Sequence, residues 1–256
     1  MEETNQEEKK KTEISVCLKK GGAPEQAESF AKKVNAIVDE KPGEGLTVLF
    51  DGNGVSLLGY GLSYRGDFEQ MLHRVTEGRL LHEMLIHAAK NIETGGIAID
   101  ATAGMGEDSL LLAAYGFEVT LFEQNPVVAV LLKDAIRRAK KHPILKEIVC
   151  RMHPVEGDSI AAMKKMVDPV DLIYLDPMFP GREKSGLIHK KMQLIQKLES
   201  PCAEEEDLFF AAKSLNPKRI IVKRPQKAPN LAGQKPNYSI PGKAIRYDCY
   251  SAGKSE

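Results

Sequence analysis

One apolar segment of this chain ends in an acid, a proline and an aromatic residue. The run from Asp171 to Leu175 leads directly into Asp176-Pro177-Met178-Phe179-Pro180. An exocyclic amine on a nucleobase is a poor nucleophile, so attack on an electrophilic carbon requires that its nitrogen be oriented in line and its hydrogens be accepted. The Asp176 carboxylate and the Pro177 carbonyl are suitable acceptors, and Phe179 can stack on a planar base. The stretch is therefore a candidate catalytic loop, and the alternative is a strand-ending turn with two prolines.

A glycine-containing loop lies upstream, in Asp100-Ala-Thr-Ala-Gly104-Met-Gly106. Glycines let the backbone approach a ligand closely, and Asp108 or the loop amides can contact the polar parts of that ligand. A dinucleotide fingerprint would carry a third glycine where Ser109 stands, which argues against NAD. Without a ligand, the same residues would form a tight turn from strand to helix.

Two further acids follow at the ends of later segments. Glu123 stands 23 residues after Asp100 and is placed to accept hydrogen bonds from both hydroxyls of a ribose. Asp158-Ser159 follows the next segment, where an acid can accept from an adenine amino group. Taken alone, Glu123 would be an exposed strand-end acid that caps the helix starting at Pro126, a role that Asn125 could serve equally well, and Asp158 would be a helix cap. In this order, ahead of the candidate catalytic loop, the acids indicate a methyltransferase that uses S-adenosylmethionine.

Basic residues cluster around the same positions. Lys223-Arg224-Pro225 closes a later segment, and Arg182 and Lys184 follow the candidate catalytic loop. These four cations are candidate phosphate ligands, although surface salt bridges are an ordinary alternative. Between Gly181 and Lys254 there are 15 Lys/Arg against 7 Asp/Glu, while the formal net charge of the whole chain is zero. The asymmetry favours a polyanionic substrate, with chance clustering on solvated faces as the alternative.

The elements that must position these residues alternate between strand and helix. Such alternation is typical of a mostly parallel sheet with helices on both faces, where ligands bind at the carboxyl ends of the strands. A final strand pair joined by Pro241-Gly242 predicts an antiparallel edge. We therefore predict a doubly wound, seven-stranded, Rossmann-like α/β fold of the methyltransferase type. Its predicted strands are Ile97–Asp100, Glu118–Phe122, Ile148–Met152, Leu172–Leu175, Arg219–Lys223, Tyr238–Ile240 and Ala244–Tyr250, and its predicted helices are Glu107–Tyr115, Pro126–Lys140, Ser159–Met166 and Glu204–Ser214.

The chain before this domain predicts a separate small unit. Residues 1–12 are polar and charged and predict a disordered tail. Residues 13–66 predict a small α/β unit that is too short for a large core, so we expect it to pack on the methyltransferase domain, residues 67–256. Its predicted elements are a strand at Ile14–Leu18, a helix at Pro24–Val38 and a hairpin over Leu46–Leu58, and a helical pattern from Asp67 to Lys90 follows.

Composition narrows the class of protein. The chain has 256 residues, of which 42% are hydrophobic and 28% charged, and no apolar run approaches the roughly 20 residues of a membrane span. Its polar start lacks the apolar core of a secretory signal. Cys17, Cys150, Cys202 and Cys249 form no Cys-x-x-Cys pair, and the histidines lack metal-ligand spacing. We expect free thiols, no metal and no membrane association in a cytoplasmic protein that is a monomer or weak dimer.

Several of these stretches together resemble one known family. The match runs from about Glu77 to Tyr250 and looks like the RsmJ (YhiQ) family of 16S ribosomal RNA guanine-N2 methyltransferases. Met178 replaces the second proline of many amino methyltransferases and is that family's own variation. The stretches that carry the resemblance are Asp100-Ala-Thr-Ala-Gly-Met-Gly-Glu-Asp108, Glu123-Gln-Asn-Pro-Val-Val-Ala129, Tyr174-Leu-Asp-Pro-Met-Phe-Pro180, Lys184-Ser185 and Val222-Lys-Arg-Pro225.

The resemblance implies methyl transfer from S-adenosylmethionine to the exocyclic N2 of one guanine, guanosine 1516, with 16S ribosomal RNA or the small ribosomal subunit as partner. We expect relatives to carry arginine where Glu107 and Gln124 stand, so contacts at these two positions would be made through the backbone. Two alternatives remain: a methyltransferase of another amine, such as DNA adenine N6 or a protein glutamine, and a non-catalytic RNA-binding module. The residues that the resemblance places against S-adenosylmethionine are Glu107, Asp108, Glu123, Gln124, Asp158, Ser159 and Asp176.

Overall fold

A computed structural model describes residues 14–76, 78–177, 194, 195, 198 and 204–251. They form two sheets, one of five strands near the N-terminus and one of seven strands in the rest of the chain. No helix within these ranges is long and apolar enough to cross a membrane. The predicted tail at residues 1–12 lies outside the described residues, as do Met178, Phe179, Arg182, Lys184 and Cys202.

The N-terminal sheet has the strand order β2-β1-β3-β4-β5. Strands β1 and β3 run parallel, and the predicted hairpin joins β3 to β4. Helix α1 ends sooner than predicted because Asn35 adopts a left-handed conformation, with φ of 55°, and Val38 then pairs with Val16. The elements are β1 Ile14–Leu18, α1 Pro24–Val34, β2 Val38–Asp39, β3 Leu46–Asp51, β4 Gly54–Gly59 and β5 Leu62–Tyr64.

The seven-stranded sheet has the order β11-β12-β10-β9-β6-β7-β8, with the strands from β10 to β8 parallel and β12 antiparallel to both of its neighbours. This is the predicted doubly wound fold. Its strands are β6 Ile97–Asp100, β7 Glu118–Glu123, β8 Met152–Glu156, β9 Leu172–Leu175, β10 Arg219–Pro225, β11 Tyr238–Pro241 and β12 Ile245–Ser251. Its helices are α2 Leu72–Val75, α3 Met84–Ala89, α4 Glu107–Tyr115, α5 Pro126–Ala139, α6 Leu145–Val149, α7 Ser159–Met163 and α8 Glu205–Ser214.

Two predicted elements differ in the structure. The predicted strand at Ile148–Met152 was wrong, because Ile148 and Val149 belong to α6 and the strand begins at Met152. The apolar residues of α6 recur at helical spacing and form one buried face. The predicted helix over Asp67–Lys90 is divided into short helices, because Thr76 and Glu83 take extended conformations.

The two sheets share helix α5. One core cluster combines Val16, Val48 and Phe50 of the small sheet with Val128 and Leu131 of α5, all fully or almost fully buried. On its opposite side α5 contributes to the core of the large sheet through residues such as Leu132. The small unit therefore completes its core with apolar residues from the larger part of the chain.

The strand order of the large sheet reverses at β6. The chain moves outward from β6 through β7 and β8, then returns to place β9 on the other side of β6. Asp100 at the end of β6 pairs with Tyr174 of β9, and the Ala101 amide donates to the Tyr174 carbonyl at 3.0 Å. Ligands of open α/β sheets bind at such reversals, so the fold brings the candidate loops to its natural binding edge.

Candidate active site

The buried Asp100 holds the loop between β6 and α4 through hydrogen bonds. This side chain is 1% exposed, and its carboxylate accepts hydrogen bonds from the Ser109 hydroxyl and, at 3.1 Å, from the Thr102 amide. Burial raises the pKa of Asp100 to about 7, although these two hydrogen bonds act in the opposite direction. Asp100 thus shapes the predicted ligand loop from inside the protein, and its carboxylate does not face open space.

The two glycines of this loop have different surroundings. Gly104 and Gly106 both have positive φ values, 52° and 75°. A Cβ added at Gly104 would meet no atom within 4 Å, whereas one at Gly106 would lie 2.7 Å from Cδ1 of Leu132. Gly106 is therefore required for packing against α5, while Gly104 leaves open space above the backbone, where a ligand can approach.

Glu123 ends β7 and reaches back to the same loop. Its carboxylate accepts from the Gly104 amide at 3.0 Å and from the Asn125 amide at 2.7 Å. Burial raises the pKa of Glu123, and these amide hydrogen bonds oppose the rise. Since a carboxylate has about four acceptor positions, the group retains capacity for a ribose hydroxyl. Gln124, which follows it, is exposed.

Asp158 and Ser159 lie at the start of α7, beyond the end of β8. Asp158 is exposed and accepts from the Ile160 amide at 2.8 Å, so it caps this helix as the simpler interpretation predicted. Ser159 is 8% exposed. One carboxylate oxygen of Asp158 serves as the cap acceptor, and an adenine contact would fall to the other.

A group of interacting charges lies where β9 and β10 end, beside α4. The Lys223 ammonium lies 2.8 Å from Oδ2 of Asp108 and 2.9 Å from Oδ2 of Asp176. The Tyr174 hydroxyl donates to the same oxygen of Asp108 at 2.6 Å. The Asp176 amide donates to Oγ1 of Thr102 at 2.7 Å, which joins this group to the glycine loop. We call Asp108, Tyr174, Asp176 and Lys223 the acid–lysine cluster.

The charges of the acid–lysine cluster interact strongly because their side chains are partly buried. The side chain of Lys223 is 22% exposed, against 17% for Asp108 and 37% for Asp176. Burial lowers the pKa of Lys223, but the two carboxylates outweigh that effect, and the net shift is upward. Burial and the same carboxylates raise the pKa of Tyr174. Lys223 therefore stays protonated and Tyr174 neutral, so both donate hydrogen bonds at ordinary pH.

Of the predicted RNA ligands, Arg224 is buried, and Lys223 lies in the acid–lysine cluster. Neighbouring side chains on a strand point to opposite faces of the sheet, so Lys223 and Arg224 are separated. Arg224 is 1% exposed; its guanidinium donates to the Pro229 carbonyl at 2.9 Å and lies 3.1 Å from Glu205. A buried guanidinium does not meet an RNA phosphate, so Arg224 stabilises the fold. Lys223 belongs to the acid–lysine cluster.

The other predicted residues fall into two groups. Pro177 is buried directly after Asp176, and Glu107 is exposed at the start of α4. Phe179, Arg182 and Lys184 lie outside the described residues, so their roles stay predictions. Neither Thr102 nor Tyr174 was predicted as a site residue, although both lie within the stretches that carry the resemblance.

The arrangement fits an adenosine-containing ligand with a charged amino-acid part. Gly104 provides an open backbone approach, Glu123 a partly buried acceptor beside it, and Asp108 a carboxylate at the start of a helix. Such a set suits S-adenosylmethionine, whose ribose needs acceptors and whose amino group needs an acid. No group of three or more metal-ligating side chains occurs among the described residues.

Comparisons with known proteins agree with this geometry. A family model of SAM-dependent methyltransferases matches residues 65–252. Ribosomal RNA small subunit methyltransferase J from Thioalkalivibrio sulfidiphilus is 36% identical over 94% of this chain and 99% of its own length. The protein of that name from Pseudomonas savastanoi is 37% identical over 88% of this chain and 87% of its own.

A solved structure supports the fold over nearly the whole chain. The crystal structure of a SAM-dependent methyltransferase from Neisseria gonorrhoeae superposes with a TM-score of 0.73 at 29% sequence identity. The match covers 94% of this chain and 97% of that one, so it includes the small N-terminal unit. Together these similarities show that the chain belongs to the SAM-dependent methyltransferases, in the family of ribosomal RNA small subunit methyltransferase J.

Proposed function

We propose that this protein transfers a methyl group from S-adenosylmethionine to the exocyclic N2 of a guanine in 16S ribosomal RNA. Support for the substrate comes from the relatives, which are named as methyltransferases of small-subunit ribosomal RNA. The observation that carries the chemistry is the acid–lysine cluster, which holds the Asp176 carboxylate at the strand reversal beside the open glycine loop. The choice of N2 on guanine rests on the resemblance of the loop Asp176–Pro180.

Each residue of the site has a distinct task in this proposal. S-adenosylmethionine, when bound, supplies an electrophilic methyl group on its sulfonium. Gly104 and Glu123 bind its adenosine part, and Asp108 takes its amino group. Asp176 and the Pro177 carbonyl accept the hydrogens of the guanine amine, orient its nitrogen and stabilise the positive charge that develops there. Asp176 need not be a strong base, because the methylated amine can lose its proton to water.

The decisive variant is Asp176→Ala, assayed with tritiated S-adenosylmethionine and either 16S ribosomal RNA or small subunits from a strain that lacks the enzyme. Loss of a preorganised acceptor should reduce kcat by about 10²-fold or more. Because Asp176 is partly exposed, the melting temperature should change little. Asp168→Ala, which removes an exposed acid beyond α7, is the matched control. Wild-type rates in Asp176→Ala would refute the mechanism.

The identity of the substrate is tested separately. Mass analysis of nucleosides from 16S ribosomal RNA of a deletion strain should show a loss of N2-methylguanosine. Loss of N6-methyladenine from DNA, or of methylglutamine from a protein, would instead support a methyltransferase of another amine. Failure of the purified protein to bind S-adenosylmethionine at millimolar concentration in calorimetry would support a non-catalytic RNA-binding module.

A further inference from the structure

A cleft of about 600 Å³ opens near the acid–lysine cluster, between β12 and the segment that joins the two sheets. One wall comes from residues 73–84, in the short helices that precede β6, and the other from the start of β12. None of its lining residues has a role in the site described above. We call this space the β12 cleft.

Tyr247 connects the β12 cleft to the reaction centre. It lines the cleft, and its ring centroid lies 6.5 Å from that of Tyr174, whose hydroxyl donates to Asp108. Burial raises the pKa of Tyr247, and the charges of Asp108, Lys223 and Asp176 act on the same phenol. A chain segment lying in the cleft would therefore lie beside the Tyr247 ring, which neighbours Tyr174 and feels the charges of the acid–lysine cluster.

The charge of the cleft is positive. Arg74 is held by Glu83 through two hydrogen bonds of 2.8 and 2.7 Å, so this pair is neutral and fixes the wall. Arg79, His73 and His82 are exposed along the same wall. Among the described residues, the side chains of Arg79 and His82 have no hydrogen-bond or ion-pair partner. These two exposed side chains are thus available to a ligand.

The remaining lining is apolar and suits a nucleoside. Met84 and Ile245 line the cleft together with the ring of Tyr247. An unpaired arginine and an imidazole donor next to apolar lining residues are a combination that binds single-stranded nucleic acid, in which phosphates meet the polar side chains and sugars or bases lie on the apolar surface.

We propose that the β12 cleft binds the RNA strand beside the target nucleotide, with Arg79 and His82 contacting its phosphodiester groups. The proposal rests on the proposed function, since it assigns a path to the substrate of the same site. It adds a second RNA-binding surface, on the segment before β6, to the one predicted for the basic residues beyond Gly181.

The test is a charge reversal at Arg79 with a matched reversal elsewhere. Arg79→Glu and Lys140→Glu change the net charge equally, but Lys140 is an exposed residue at the end of α5 opposite to the site. Each variant is assayed for KM and kcat with 16S ribosomal RNA, for RNA affinity by filter binding at several salt concentrations, and for S-adenosylmethionine affinity by calorimetry.

We expect Arg79→Glu to raise KM for the RNA about tenfold, and to weaken the salt dependence of binding by roughly one unit of log–log slope. Its kcat at saturating RNA and its affinity for S-adenosylmethionine should match those of Lys140→Glu. An equal KM in the two variants, with an active wild type, overturns the cleft proposal alone. A wild type that neither binds nor methylates 16S ribosomal RNA overturns the proposed function, and the cleft proposal with it.

Discussion

The ammonium group of Lys223 is shared by two carboxylates, those of Asp108 and Asp176, at 2.8 and 2.9 Å. In the proposed mechanism, one acid serves the methyl donor and the other the target amine. Lys223 acts through both, because without it the two acids would repel each other across a partly buried space. It is therefore a positioning residue, and its loss should affect the reaction rate more than the folded structure.

We predict that Lys223→Met lowers kcat by about 10²-fold, an effect of the size found when preorganised electrostatics are removed. Lys223→Arg should recover part of this loss because it restores the charge with a different shape. Steady-state kinetics with both substrates, together with melting curves, provide the measurement. A Lys223→Met enzyme with unchanged kcat and raised KM for RNA would instead support the original assignment of Lys223 to phosphate binding.

At the residue scale, the buried Asp100 makes the stability of the protein depend on pH. Its folded pKa of about 7 lies above its ordinary value of 3.8, so the folded state favours the protonated form. The stability that this group contributes is therefore complete below about pH 3.8 and is lost as the pH rises through about 7. Within that window, the loss is roughly 1.4 kcal/mol for each pH unit.

Asp100→Asn keeps the size of the side chain and removes this titration. We predict that the free energy of unfolding of the wild type falls relative to that of Asp100→Asn between pH 5 and pH 8. Urea titrations at several pH values measure the difference, with Asp168→Asn as the exposed control. A constant difference across this range would show that Asp100 is already ionised at pH 5.

At the scale of elements, two glycines of the loop between β6 and α4 have different tasks: Gly104 faces the open space for a ligand, and Gly106 packs against α5. Gly104→Ala should cost about 1 kcal/mol of stability for its positive φ, and should weaken S-adenosylmethionine binding at least tenfold because the new methyl enters the open space. Gly106→Ala should cost roughly 2–4 kcal/mol, because its methyl would also collide with Leu132. Calorimetry and thermal melts distinguish the two. Full donor affinity in Gly104→Ala would place the ligand elsewhere.

Secondary structure was predictable where local signals agreed. Asn125 and Pro126 mark the start of α5, and Gly116 follows the end of α4, as their capping preferences indicate. The strand predicted at Ile148–Met152 was wrong at its start because a short apolar run suits a buried strand as well as a helix, and Ile148 and Val149 belong to α6. The helical spacing of the apolar residues of α6 selects a helix once α4 and α5 bury one of its faces.

At the scale of the whole molecule, α5 joins the small N-terminal unit to the large sheet. Leu131 is fully buried in the cluster that the small unit shares with α5. Lys33 of α1 and Lys133 of α5 both contact Glu156 at the end of β8, at 2.7 and 3.1 Å. The boundary predicted at residue 66 therefore separates two sheets that both pack on α5, and we expect them to unfold together.

We predict that Leu131→Ala lowers the free energy of unfolding by about 2–5 kcal/mol and keeps one cooperative transition. Val130→Ala, at a half-buried neighbour on the same helix, should cost much less. Denaturant titrations followed by circular dichroism and by tyrosine fluorescence provide the comparison. Two separate transitions in Leu131→Ala would show that the small unit folds independently of the large sheet.

The alternation of strand and helix patterns predicted the doubly wound sheet, and the order of acids and glycines predicted the methyl donor; both are confirmed, while the catalytic role of Asp176 stays a prediction. Those inferences depend on periodicity and on residues close in sequence, which local patterns carry. The partners of Lys223, the burial of Arg224 and the β12 cleft were decided by the tertiary structure. Lys223 meets Asp108 across 115 residues, and the strand alternation that turns Arg224 inward acts only when α8 covers that face. Such pairings depend on which face of the sheet is covered, and local sequence patterns do not specify that.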